Sequence, residues 1–208
     1  MTRMNKARVE SFSDSVFAFA ITLLVLGFQV PELKAGDDHD LLRALLGQLP
    51  QLIPYTTSFA TIGIIWMNHH AMFHEVDRVE HGTLMLSLPL LLVVSFIPYP
   101  TAVLGRYGPL RSIAVLYGTT LTLLGGTYTL LWHHIVKRRL SKVCIEPKAL
   151  RARTRRNLVA AFGYPVGTAI AFVSPKTAVV IYLALAMFYF LPGPRSRRSD
   201  AALDPAQT

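Results

Sequence analysis

The stretch "RVESFSDSVFAFAITLLVLGFQVP", residues 8–31, decides how the chain is read. From Val16 to Leu26 it is apolar on every side, which suits lipid rather than water. Yet Arg8, Ser13 and Asp14 stand at its mouth. Two readings of that polar mouth are open. Ser13 and Asp14 suit a helix N-terminus, where a hydroxyl or carboxylate meets free N–H groups and the positive dipole end. Alternatively, Arg8 and Phe12 already belong to the helix. Asp14 then sits close to hydrocarbon and needs a partner, either Arg8 or the Asn68-His69-His70 cluster.

The remainder of the chain supports a membrane setting. Of 208 residues, 52% are hydrophobic and only 16% charged, against about 25% charged in a soluble domain. Mean hydropathy is +0.40. The single cysteine, Cys144, excludes an intramolecular disulfide. A net charge of +9 is explained by Lys and Arg in cytoplasmic loops, so no nucleic-acid partner is expected. The first apolar run is too long for a signal-peptide core and lacks an A-x-A-like cleavage site.

Spanning helices need about 20 mostly apolar residues, and six such runs are predicted: 11–30, 49–73, 82–104, 110–136, 157–172 and 177–191. They form one six-helix membrane domain over residues 1–192, followed by a disordered tail over 193–208. "LLRALLGQLP", residues 41–50, is expected as a short interfacial helix, and residues 137–156 as the most basic loop. With the N-terminus inside, 16 Lys and Arg fall on the inner side and five outside. That imbalance puts both termini in the cytoplasm.

Within the first run, Phe12, Val16, Phe19, Leu23, Leu26 and Val30 recur at spacings of four and three, forming one apolar stripe. A smaller, more polar stripe holds Ser15, Ala18, Thr22, Val25 and Gln29. Apolar stripes are usually core or lipid contacts, but hydrophobic constrictions also gate channels. His70 and His74 share a helical face, followed by Glu75 and Asp77, which invites a metal reading. Ala71 stands where an H-E-x-x-H motif has its general base, and no metal is expected. P-loop, nucleophile-elbow, dinucleotide and TVGYG potassium-filter motifs are absent.

Arg8 followed by Phe12-Ser13-Asp14 resembles the R-x-x-x-F-S-D signature of the transmembrane protein 175 family of potassium channels. "AITLLVL" at 20–26, "WMNHH" at 66–70 and the six-span layout are similar to the same family. The resemblance implies an all-α membrane protein that is no enzyme and needs no cofactor beyond permeant potassium. It implies a homotetramer in the cell membrane, with four copies of the first helix around a pore. Carried over, the constriction falls on Phe19, Leu23 and Leu26, with selectivity aided by Thr22. Arg8, Phe12, Ser13, Asp14, Trp66, Asn68, His69 and His70 form the polar network buttressing the cytoplasmic end. Family members carry Ile or Leu where this chain has Phe19, so four phenyl rings would narrow the pore, shut it or rotate aside. Two rival readings are a secondary transporter, with Pro89, Pro165 and Gly125-Gly126 breaking helices, and an intramembrane metalloenzyme using His69, His70, His74 and His133.

Overall fold

Helix formation starts at Lys6, five residues before the expected boundary. The computed structural model describes residues 6–31, 38–76, 79–138, 140 and 147–190, and the expected tail lies outside them. Helix α1 spans Lys6–Leu23 and tightens into a 3-10 turn at Leu24–Gly27. Helix α2 spans Asp38–Gly47, and a 3-10 turn at Leu49–Gln51 leads into α3, Leu52–Glu75. Then follow α4, His81–Phe96; α5, Pro98–Tyr107; α6, Arg111–Lys137; α7, Pro147–Ala171; and α8, Pro175–Phe190. No β-strand occurs among the described residues. With α4 and α5 counted as one bent rod, six long helical segments result, as expected. Three of them, Lys6–Gly27, His81–Tyr107 and Arg111–Lys137, are long and apolar enough to cross a membrane by length and composition alone. The chain is an all-α, multi-pass membrane protein.

Boundaries shift where side chains or prolines intervene. The Lys6 ammonium pairs with Glu10 at 3.7 Å and donates to the Val76 carbonyl at 2.7 Å, so the first turn forms early. Ser13 and Asp14 therefore lie about 10 Å along the helix, at 1.5 Å per residue, and do not cap it. At the other end the helix stops at Gly27 rather than Val30. A Cβ added at Gly27 would meet the Ala102 Cβ at 3.1 Å, and Phe28 is already extended. The third span is broken at Ile97, because Pro98 and Pro100 lack N–H donors. The Val94 carbonyl instead takes the Ile97 N–H at 3.2 Å. Helix α7 begins ten residues early: Pro147 suits a first helical position, so residues 147–156 of the expected basic loop are helical. Pro165 stays inside α7 without ending it, as bundled membrane helices allow. Helix α2 forms where a short helix was expected, with no residue buried.

Helix α6 is the central post. Ile113, Tyr117, Leu121, Leu124, Leu131 and Ile135 are among its buried residues, and it packs against α4 and α7. Where lipid offers no water, buried hydroxyls must find partners inside. Ser58 Oγ lies 2.7 Å from Thr101 Oγ1 and 2.8 Å from the Tyr117 hydroxyl, which links α3, α5 and α6. The Tyr182 hydroxyl donates to the Ala114 carbonyl at 3.2 Å. This bond exists because position 118 is glycine: a Cβ there would lie 1.9 Å from the Tyr182 hydroxyl and 2.4 Å from Thr168 Oγ1. Gly118→Ala is expected to destabilise the protein by about 1–3 kcal/mol, the usual cost of overpacking. Thermal unfolding of the detergent-solubilised protein checks this, and an unchanged midpoint would contradict it.

Candidate functional site

Helix α1 has two apolar sides with different fates. Val9, Ser13, Phe17, Ala20 and Leu24 are buried against the bundle, chiefly against α3 and α4. On the opposite side, Phe19 is 69% exposed and Leu26 73%, while Leu23 is 37% exposed. Phe12 and Val30 extend the same uncovered surface, and Val16 is half-buried at its edge. Leu26 stays exposed although it lies in the 3-10 turn rather than on a continuing α-helix. Thr22 is exposed on this side too, and its hydroxyl donates to the Phe19 carbonyl at 2.9 Å. No described part of the chain covers this face.

Its rotation is set by a polar and aromatic anchor on α3. Trp66 Nε1 donates to Asp14 Oδ1 at 2.8 Å. The His70 ring lies 5.8 Å from the Trp66 ring. His69 is fully buried, with its ring 5.4 Å from Phe17 of α1 and stacked 4.4 Å from Phe73. Residues 66, 69, 70 and 73 recur every three or four positions, so one face of α3 supplies them all. Ser13 Oγ and His69 Nε2 are buried here without a hydrogen-bond partner among the described residues.

The expected network is thus divided. Asp14, Ser13, Trp66 and His69 gather at the α1–α3 contact, and His70 is exposed beside Trp66. Phe12 and Arg8 are exposed outside it. Arg8 and Asp14 are six residues apart, about 240° around a helix of 3.6 residues per turn, so Arg8 does not supply Asp14's partner. Asn68 is turned to the far side of α3, where it lines a cavity with residues of α6, α7 and α8. Phe17 and Phe73, which clamp His69, were missed by sequence reasoning; their spacing of four from Ser13 and His69 was the available signal. No group of three or more His, Cys, Asp or Glu is placed to hold a metal among the described residues.

Residues 8–98 match the family model described as the endosomal/lysosomal potassium channel TMEM175. A potassium channel of Streptomyces collinus is 38% identical over 194 residues, covering 89% of this chain and 92% of that protein. A potassium channel of Chamaesiphon minutus is 34% identical over 188 residues, covering 88% and 93%. Among solved structures, a lysosomal potassium-selective channel TMEM175 homologue from Chamaesiphon minutus superposes with a TM-score of 0.78. It is 33% identical and covers 89% of this chain and 96% of that one.

Because Asp14 and Trp66 bond each other, Asp14→Asn and Trp66→Phe should be non-additive. A double-mutant cycle on thermal stability is expected to give a coupling of about 1 kcal/mol, as for a charge-assisted bond at a partly exposed site. Full additivity would show that the bond contributes nothing.

Proposed function

The chain belongs to the TMEM175 family, and from that membership we propose that it is a potassium-selective channel of the cell membrane, assembled as a homotetramer with α1 lining the pore. The observation that carries this reading is the apolar face of α1, which is held in a fixed orientation yet left uncovered by the described residues. Four such faces around an axis would cover one another's flanks and leave rings of Phe19, Leu23 and Leu26 toward the centre. The likeness to a solved potassium-selective channel supports the channel reading.

Narrow apolar rings exclude water and act as a gate. A permeating cation then passes with little ligand replacement from the protein. Sodium holds its water more tightly than potassium and loses more in such a ring, which favours potassium. The Thr22 hydroxyl spends its hydrogen on the Phe19 carbonyl, leaving its oxygen as an acceptor one turn from the Phe19 ring. Phe19 sets the width at the first ring. Ser13, Asp14, Trp66, His69 and His70 set the rotation of α1, with Arg8 and Phe12 at the cytoplasmic mouth and Asn68 bracing α3 from behind. Both termini are cytoplasmic in this arrangement.

Purified protein in a planar bilayer, with potassium on one side and sodium on the other, tests the reading. The reversal potential is expected to shift toward the potassium equilibrium value. Leu23→Asn or Leu26→Asn should reduce that shift, and Phe19→Ala should raise single-channel conductance. Current without cation preference would remove the potassium assignment. Transport seen only as tracer uptake, with no channel current, would favour a transporter. Unchanged selectivity in both asparagine variants would sink the apolar-ring account.

A further inference from the structure

On the side of α3 away from α1, helices α3, α6, α7 and α8 surround a cavity that is open on one side. The cavity measures about 30 Å³, roughly two waters' worth at about 10–15 Å³ each. Its walls are mostly apolar, with Ile64, Leu124, Ala160 and Ala186 among them; the Thr61 and Thr129 hydroxyls also line it but donate to carbonyls of their own helices, and no charged side chain does. Asn157 and Asn68 nevertheless both reach it from opposite walls, together with the buried Tyr164. Asn157 Nδ2 is buried without a hydrogen-bond partner among the described residues. A buried amide left in that state is unfavourable, so the position favours an added acceptor.

One end of the cavity is fixed. The Arg156 guanidinium donates to the Tyr189 carbonyl at 2.8 Å and lies 5.5 Å from the Tyr189 ring centre. The Tyr189 hydroxyl in turn donates to the Arg156 carbonyl. These contacts tie α7 to α8 beside Asn157, and they engage the neighbouring positive charge with groups of the chain itself.

The geometry points to a binding site for the uncharged head of an amphiphile, a hydroxyl or ester carbonyl that accepts from Asn157 Nδ2 while its hydrocarbon chain leaves through the open side. A phosphate or ammonium head finds no counter-charge in the lining, and burying an unpaired charge is costly. The apolar walls receive the first methylenes of the chain. Alkanols and acylglycerols share this chemistry.

The site is tested on the full chain in detergent, independently of conduction. An octanol carrying an alkyl diazirine is photolysed with the protein, and labelled residues are located by peptide mass spectrometry. Labelling is expected on the cavity residues of α7 and α8, suppressed by excess 1-octanol or monoolein. Suppression by both supports a bilayer glyceride as occupant, and by octanol alone a free short alcohol. Ala186→Leu should fill the space and abolish the label. Asn157→Leu, which keeps side-chain size without the amide, should weaken competition about tenfold, the loss of one buried hydrogen bond; it carries the test if the first variant does not fold. Label spread along the outer helix surfaces without competition would show that water alone occupies the cavity, and competition unaltered in Asn157→Leu would show that the amide does not hold the head; either result overturns the proposal.

Discussion

Everything distinctive in this chain depends on how α1 is held. One side is committed to the bundle by Val9, Ser13, Phe17, Ala20 and Leu24, and a single donor from Trp66 reaches Asp14 at its polar end. A helix apolar all round has no intrinsic reason to prefer one rotation in lipid, because lipid tails solvate every side alike. A directed polar contact supplies that preference. Asp14 meets its donor only where Trp66 stands on α3, so the partner's place helps fix which residues of α1 are left facing outward. Specificity of orientation here comes from a few polar atoms, while the apolar residues supply adhesion.

The same division runs through the rest of the bundle. Ser58, Thr101 and Tyr117 join three helices by hydroxyl contacts, and small residues bring backbones together where those contacts need closeness. Gly118 admits the Tyr182 hydroxyl, and Gly125 lies near Ala160 of α7. Neither device adds much apolar burial. Both restrict register, which hydrophobic packing between helices leaves loose in a membrane.

The sequence announced six long helical segments, three of them long and apolar enough to cross a membrane, because an apolar run of about 20 residues has few other uses. The 3.6-residue period also grouped Phe12, Phe19, Leu23 and Leu26 into one stripe on α1 without reference to other helices, but did not show whether that stripe is covered. Helix ends were less legible. Lys6 extends α1 through a bond to Val76, seventy positions away in the chain, and no local pattern contains that partner. Gly27 ends it for a reason located on Ala102. The basic stretch before residue 157 read as loop because its charge outweighed its good helix formers Ala, Leu, Lys and Arg. For the site, Trp66 and Asp14 were both singled out, but their pairing was not, because two helices can meet at many rotations. Asn68 was grouped with its neighbours in sequence, whereas adjacent positions on a helix point about 100° apart.

Helix α1 is tethered near both ends to different partners: Lys6 to Val76, the residue that follows α3, and Gly27 against α5. A lengthwise slide of the helix would strain both attachments at once. The motions that remain inexpensive are local ones between the tethers, such as swinging a phenyl ring or interconverting the 3-10 and α forms of Leu24–Gly27. Any opening and closing carried by this helix is therefore an aperture adjusted in place, an iris rather than a piston.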